Sequence, residues 1–111
     1  MSRTPKNAAI LNNTTTSLVA LDYTVPVNTV AAPSLVVTNN SSSINYIEIY
    51  ITSDGVDYII ASKNLPGGSG KSWRVLELSD QKLNAGHKIS VKQSDSSSVN
   101  YFLSVSEIGV N

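Results

Sequence analysis

The chain of 111 residues carries eight Lys and Arg against eight Asp and Glu, so its formal net charge is zero, and it contains no cysteine. This balance excludes nucleic acid or an acidic membrane surface as a partner bound through excess positive charge, and the missing thiols exclude disulfides and cysteine-ligated metals. Only 14% of the residues are charged, compared with about 25% in ordinary soluble domains. Because low net charge favours association, we expect one domain that packs against protein partners.

The predicted elements are almost all strands, because Val, Ile and Thr dominate the ordered runs. Residues 1–13 are predicted to form an extended N-terminal arm, and residues 14–111 a sandwich domain. The predicted strands of that domain are, in chain order, 17–25, 32–38, 44–52, a strand that follows Asp54-Gly55, 72–78, 87–93 and 99–108. About seven short strands separated by turn residues predict an all-β antiparallel β-sandwich, either immunoglobulin-like or jelly-roll. No run of about 18 apolar residues occurs, so no membrane-spanning helix is predicted.

The clearest local signal is a hairpin at Asp54-Gly55, since both positions tolerate positive φ. A two-residue loop predicts that Ser53 pairs with Val56, Ile51 with Tyr58 and Ile49 with Ile60. The predicted core face then carries Ile47, Ile49, Ile51, Tyr58 and Ile60. The predicted outer face carries Tyr46, Glu48, Tyr50, Thr52, Asp57, Ile59 and Ala61, with Tyr50 opposite Ile59. Because this outer face is half apolar, we expect a neighbour to cover part of it.

Three motifs that could carry chemistry are incomplete. The segment 67–72 resembles the end of a phosphate-binding loop, but Leu65 stands where the first glycine belongs, and a strand is predicted to follow where a helix is needed. His87 is the only histidine, and no serine lies in a G-x-S-x-G pattern. Asp54 and Asp57 lack the further oxygen ligands of a calcium loop. We therefore expect no enzymatic activity, no cofactor and no metal site.

Aromatic side chains are the remaining candidates for function. Tyr46 and Tyr50 lie on the predicted outer face, where they would anchor a protein interface or, if exposed in a groove together with Trp73, stack on sugar rings. Burial as core or subunit interface is the more common fate of such residues. The predicted partner-interface residues are Ala8, Ala9, Ile10, Leu11, Tyr46, Tyr50 and Ile59.

Several segments of the chain resemble one family. Residues 21–29 read LDYTVPVNT, similar to the "LYTVPAGT" start of small structural proteins of tailed-phage virions, and the strand SLVVTN follows at 34–39. Residues 83–89 read LNAGHKI, similar to the family's "LxAGDxI" with His87 in the place of the aspartate, and residues 106–108 match the terminal "SEI". The resemblance implies a β-sandwich virion protein of the head, neck or tail without catalytic activity.

The resemblance and the low charge together lead to an expected function. We expect a capsid decoration or auxiliary protein that stabilises a virion by packing against neighbouring subunits, with the arm 1–13 lying along an adjacent protein. The expected partners are other virion proteins and further copies of the chain, for instance in a trimer. The alternatives are a neck, tail or fibre module of the same fold, and a carbohydrate-binding module that attaches the particle to host glycans.

Overall fold

The computed structural model describes residues 3–68 and 71–110, which form two antiparallel four-stranded sheets. The elements are β1 (Arg3–Asn13), β2 (Val19–Thr24), β3 (Thr29–Asn39), β4 (Asn45–Ser53), β5 (Val56–Leu65), β6 (Lys71–Arg74), the helical turn α1 (Leu76–Ser79), β7 (Lys88–Gln93) and β8 (Val99–Gly109). Sheet A has the strand order β1-β8-β3-β6, and sheet B has the order β2-β7-β4-β5. The chain changes sheet at every connection except the β4–β5 hairpin, which is the strand order of a jelly roll. The predicted all-β antiparallel sandwich is confirmed, and of its two variants the structure has the jelly-roll one.

The core lies between the two sheets, because every second side chain of the central strands points inward. Leu35 and Val37 of β3 and Ile47 and Ile49 of β4 are fully buried there. Full burial of one such side chain contributes about 1.5–3 kcal/mol, so this alternation largely stabilises the sandwich. In the part of the chain that the structure describes, no helix is long and apolar enough to cross a membrane.

The segment predicted as an extended arm is strand β1, which pairs with β8 of its own chain in continuous register from Arg3 to Ile10. A bulge at Asn12, whose φ is 54°, then ends the regular pairing. Ala8 and Ile10 pack against the core of the sandwich. The segment therefore has a partner within its own chain, and its packing along an adjacent protein stays a prediction. Met1 and Ser2 lie outside the described residues.

The β4–β5 hairpin differs from its prediction by one residue. Asp54 and Gly55 form the tight turn with positive φ, and Ser53 pairs with Val56 and Ile51 with Tyr58, as predicted. Ile49, however, pairs with Ala61, because a bulge adds one residue to β5. Ala61 is therefore buried in the core, and the predicted outward position of Ala61 is wrong. Tyr58, placed in the core by the prediction, is 56% exposed.

The predicted strand 72–78 is shorter in the structure. β6 ends at Arg74, and the chain then enters α1, in which the backbone N–H of Ser79 donates to the carbonyl oxygen of Val75. Residues three apart on a helical turn share a face, so the turn points both Val75 and Leu78 into the core. A strand would have placed these two residues on opposite sides of the sheet.

The backbone of β3 shows which residues bond to which neighbour. The backbone groups of Ala31 exchange two hydrogen bonds with Leu83, and the carbonyl oxygen of Leu35 accepts one from the N–H of Val75. The N–H and C=O groups of the odd-numbered residues of β3 therefore point away from β8. Pro33 lies between them, where its missing N–H costs no bond to β8. The even-numbered residues of β3 therefore bond to β8, and their register partners on β8 are also even-numbered. The odd-numbered residues of β8 are then left to bond to β1 on its other side.

Candidate interaction surfaces

The outer surface of sheet A, which we call face A, carries almost no charge. Strand alternation and register place the following residues on it: Arg3, Pro5, Asn7, Ala9, Val30, Ala32, Ser34, Val36, Thr38, Ser72, Arg74, Asn100, Phe102, Ser104, Ser106 and Ile108. Among these described residues only Arg3 and Arg74 are charged, and they lie on the two opposite edge strands, β1 and β6. Arg3 lies along the surface, because its guanidinium donates a hydrogen bond to the Ser106 hydroxyl at 3.3 Å. The middle of face A thus presents small, uncharged groups.

Phe102 is the largest side chain in the middle of face A. Its neighbours across the sheet are Val36 on β3 and Ala9 on β1, and Arg74 stands beyond Val36. Phe102 is 46% exposed, so its ring rises above smaller neighbours and remains available to a partner. Phe102 was not predicted as an interface residue, although it lies at an outward position of the alternating strand predicted at 99–108.

The outer surface of sheet B, which we call face B, holds three of the predicted interface residues. Tyr50 lies directly beside Ile59 in the β4–β5 register, as predicted, and Tyr46 is four residues away on the same strand. Tyr46 is 38% and Ile59 51% exposed. Burial and the nearby Glu48 carboxylate raise the pKa of Tyr50, so its hydroxyl stays a neutral hydrogen-bond donor.

A chain of hydrogen bonds fixes one end of face B. The Thr52 hydroxyl donates to the Asp57 carboxylate at 2.5 Å, and the hydroxyls of Thr52 and Ser90 are 3.1 Å apart. Because Thr52 has one hydroxyl proton and gives it to Asp57, Ser90 must donate to Thr52. With Lys88 and Lys92 on β7, this makes face B more polar and more charged than face A.

The predicted interface residues do not form one surface. Tyr46, Tyr50 and Ile59 lie on face B, whereas Ala9 lies on face A and the exposed Leu11 follows it along β1. The two other members, Ala8 and Ile10, point between the sheets and pack against the core. A partner that covers face B would not reach β1 through the same contact.

A buried glutamine joins several connections at one end of the sandwich. The Gln93 Oε1 atom accepts hydrogen bonds from the Tyr101 hydroxyl at 2.7 Å and from the Asn13 side-chain amide at 2.8 Å. Its Nε2, which has two protons, shares them among three backbone oxygens within hydrogen-bond distance, those of Asn13 at 3.0 Å and of Asp95 and Ser97 at 2.9 Å. Burial raises the pKa of Tyr101, which keeps this hydroxyl protonated. The network ties the end of β1 to the β7–β8 connection.

Two buried asparagines complete this anchored end, which comprises the β3–β4, β5–β6 and β7–β8 connections. The Asn39 side-chain amide donates to the carbonyl oxygens of Leu65 and Pro66 at 3.1 and 3.2 Å. Asn45 donates to the carbonyl oxygen of Asp95 and accepts from its N–H, both at 3.0 Å. Buried side-chain amides that replace missing backbone partners fix loop shape, so the polar residues here have a structural role.

A partly buried polar pair lies between the sheets. The Tyr23 hydroxyl donates to Glu107 Oε2 at 2.6 Å, joining β2 of sheet B to β8 of sheet A. Burial, with the hydrogen bond to this carboxylate, raises the pKa of Tyr23. The pair has no further titratable partner in the hydrogen-bond pattern of the described residues, and it links the sheets.

Trp73 lines a cavity of about 430 Å³ at the open side between β5 and β6. The remaining lining residues are Ser62, Lys63, Ser72, Arg74, Leu76 and Glu77. The indole is only 8% exposed, and the Lys63 ammonium lies 5.9 Å from its ring centroid. Trp73 belongs to sheet A at the opposite side of the sandwich from β1, so the structure does not bring it together with Tyr46 and Tyr50 on face B.

The incomplete chemical motifs are structural in the part of the chain that is described. A strand, β6, follows the glycine-rich segment, in which Ser69 and Gly70 lie outside the described residues. The Nδ1 atom of His87 accepts a hydrogen bond from the backbone N–H of Asn84 at 3.2 Å, within a turn. Within residues 3–68 and 71–110, no group of three His, Cys, Asp or Glu side chains is arranged to hold a metal ion.

Comparisons with known proteins bear on the fold. No protein-family model and no curated protein matches the chain. A chain in the solved structure described as "Bacillus endospore appendages form a novel family of disulfide-linked pili" is similar over 99% of this chain and 90% of that chain, with a TM-score of 0.60 and 7% identity. That protein belongs to a bacterial appendage and not to a phage. At this identity, the similarity shows that the two chains share a β-sandwich fold.

Proposed function

We propose that this protein is a structural subunit that acts by packing against neighbouring proteins, and that it is a capsid decoration or auxiliary protein of a tailed-phage virion. The observation that carries the structural role is face A, a whole sheet surface whose described residues include only Arg3 and Arg74 as charged groups. An interface of this kind removes few ions from water, so covering it has a small desolvation cost. The phage-like motifs support the location on a virion.

Face A is large enough to hold a partner. Three strands of eleven residues, at about 3.3 Å per residue and about 4.8 Å between strands, cover about 500 Å² in projection. The accessible surface of side chains exceeds the projected area, which brings the face close to the roughly 800 Å² that each partner of a stable complex buries. Phe102 at its centre has the type and position of an interface anchor.

The partners that we propose are other virion proteins and further copies of this chain. Tyr46, Tyr50 and Ile59 on face B offer a second contact, separate from face A. The exposed Leu11 on β1 extends face A beyond Ala9. A subunit with two outer surfaces on opposite sides, each open to a partner, can contact two neighbours at once, which is what a closed or extended assembly needs.

The test is incorporation into the assembly. Phe102→Glu places a charge in the middle of face A and should abolish incorporation while the fold, followed by circular dichroism and Trp73 fluorescence, stays intact. The matched control is Ser96→Glu, which adds the same charge in an exposed connection at the anchored end. Gold-labelled antibody against the chain then locates it on purified particles. Equal incorporation of both variants would contradict the role of face A, and label on no particle would contradict the virion location.

A bacterial appendage or fibre subunit is the second candidate, because the solved chain with the same fold comes from a pilus structure. It requires the same self-packing surfaces, so the two candidates differ only in where the label is found. Label along filaments would favour the appendage, whereas label on phage heads, necks or tails would favour the virion.

Glycan binding is the third candidate, and it rests on Tyr46 and Tyr50, which lie four residues apart on face B. At about 3.3 Å per residue the two tyrosines are about 13 Å apart, so their rings could stack on two separated sugars of one glycan chain. A glycan array probed with the protein and with the Tyr46→Ala variant would test it, and binding lost in the variant is the expected result. No binding to any glycan would exclude this candidate.

A further inference from the structure

We propose that two copies of this chain pair through the outward edges of their β1 strands, which joins the two A sheets into one sheet of eight strands across a two-fold axis. This inference rests on the proposed self-assembling role and names the partner, a second copy, and the segment, Asn7–Leu11.

The four edge strands differ in how well they could accept another strand. β6 has four residues, the pairing of β2 is irregular between Ala20 and Thr24, and β5 contains a bulge. Short strands and bulges protect sheet edges from pairing. β1 also contains a bulge, but it lies near the end of the strand, at Asn12, so the register with β8 is continuous from Arg3 to Ile10 and leaves the longest regular edge. Among the described residues, no strand pairs with its other side.

The direction of each backbone group of β1 follows from its neighbours. Odd-numbered residues of β8 bond to β1, and their register partners are Thr4, Lys6, Ala8 and Ile10. The odd-numbered residues of β1 therefore point their N–H and C=O groups outward. Even-numbered residues should point their backbone groups toward β8, and the N–H of Asn12 does so, because it donates to the Asn100 side chain on β8 at 2.7 Å. Asn7, Ala9 and Leu11 thus form a row of outward donors and acceptors.

The usable part of the edge is limited on both sides. Pro5 is also an outward position and has no N–H to donate, and the bulge at Asn12 ends the strand after Leu11. An antiparallel pair centred on Ala9 matches Ala9 with Ala9 of the second copy and Asn7 with Leu11. Every matched residue then has both its donor and its acceptor, which gives six hydrogen bonds between the copies. If the two-fold axis passed nearer the N-terminus, Pro5 of each copy would be paired with a residue of the other copy, and the hydrogen bonds that need a Pro5 N–H would be lost.

The side chains of this segment also allow self-pairing. Asn7–Leu11 contains no charged residue, so no like charges oppose each other across the axis, where they would be destabilising. Lys6 would lie opposite Asn12 of the second copy. On the outer surface, Ala9 of each copy lies beside its own Phe102, so the pairing would also make face A continuous across the two copies.

Cysteine substitution tests the register, because the natural chain has no cysteine. Residues in a directly opposed hydrogen-bonded pair have Cα atoms about 5.5 Å apart, within the range of a disulfide. Ala9→Cys should therefore form a covalent dimer under mild oxidation on a non-reducing gel. Asn7→Cys is the control, because in this register the two Asn7 Cα atoms would be more than about 10 Å apart. Equal cross-linking of both variants, or none in Ala9→Cys, would refute the pairing.

Proline substitution tests the hydrogen bonds. Ala9→Pro removes an outward N–H and no bond to β8, as Pro5 does naturally, so the fold should survive while the dimer dissociation constant rises about 100-fold. Arg3→Pro is the matched control, because it is an outward position outside the paired segment and should leave the dimer intact. Sedimentation equilibrium gives the constants, and Trp73 fluorescence in urea checks the fold.

The outcomes separate this inference from the proposed function. A wild-type protein that is monomeric or trimeric at 100 µM, or a dimer unaffected by Ala9→Pro, overturns the β1 pairing. Incorporation of an Ala9→Pro variant into particles at the wild-type level would show that the structural role does not need this dimer. A dimer that shows the predicted cross-link but is found on no particle would contradict the virion location alone.

Discussion

Replacement of the buried Gln93 by leucine should destabilise the protein strongly, although the two side chains have similar volumes. In Gln93→Leu the Tyr101 hydroxyl, which is fully buried, loses its acceptor, and the Asn13 amide loses one of its own. Three backbone oxygens of Asn13, Asp95 and Ser97 lose the Nε2 donor. Each buried polar group left without a partner costs about 1–3 kcal/mol.

The hydrogen-bond partners of Gln93 other than Tyr101 are only partly buried, so in the variant they can form hydrogen bonds with water instead. We therefore assign the full cost of a lost partner to the Tyr101 hydroxyl and only part of that cost to each of the others. The expected loss is then about 3–4 kcal/mol, a large share of the roughly 5–15 kcal/mol by which a domain of this size is stable. Urea unfolding followed by the fluorescence of Trp73, the only tryptophan, measures the free energy of unfolding in each variant.

A double-mutant cycle identifies the cause. Tyr101→Phe leaves Gln93 Oε1 with the Asn13 bond and should cost about 1 kcal/mol. In the double variant no tyrosine hydroxyl is left without a partner, so the combined loss should be smaller than the sum of the single losses by about 1–2 kcal/mol. Strict additivity, or a loss below about 1 kcal/mol for Gln93→Leu alone, would show that the network does not anchor the connections as described.

Three further predictions concern the backbone and pH. Gly55→Ala should lower the free energy of unfolding in urea by about 1 kcal/mol, because φ is +77° at this turn position. Gly109→Ala is the control and should be neutral. Equal effects of the two substitutions would refute the role of the positive φ. Gly67→Ala should cost about 2 kcal/mol or more, because its Cβ would overlap the Ser42 carbonyl carbon. A urea midpoint equal to that of the wild type would refute this. Burial raises the pKa of Tyr101 above its ordinary value of 10.0, so its contribution is complete below pH 10 and is lost as pH rises further, by up to about 1.4 kcal/mol per pH unit. Melting curves between pH 8 and 11 should show a smaller alkaline loss in Tyr101→Phe, and identical curves would contradict this.

The strands that alternate apolar and polar residues could be predicted from the sequence, because one side of each faces the core. The bulge in β5 could not, since Ile59 and Ile60 are both apolar and either could occupy the inward position. The helical turn after β6 was hidden for a similar reason. Val75 and Leu78 fit a strand as separate residues, and only the packed core shows that both must point the same way.

The interaction surfaces were harder to predict than the fold. Tyr50 beside Ile59 was found because large apolar residues on an outward parity stand out in a sequence. Face A consists mostly of Ala, Ser, Asn and Val, whose small side chains form no conspicuous pattern until the register aligns them. The partner of β1 was equally hidden, because β8 lies at the other end of the chain and contact over such a separation leaves no local signal.

The jelly-roll strand order has a consequence for how the chain folds. β8 is the last strand and yet lies between β1 and β3, and β7, the strand before it, lies between β2 and β4. Neither sheet can therefore be completed until β7 and β8 have been synthesised. Until then the apolar faces of β1 to β4 lack the strands that lie between them in the fold. Contacts between such distant segments also make folding slow. We expect that nascent chains lacking β7 and β8 depend on chaperones, and that the release of the C-terminal strands from the ribosome starts folding of the whole domain.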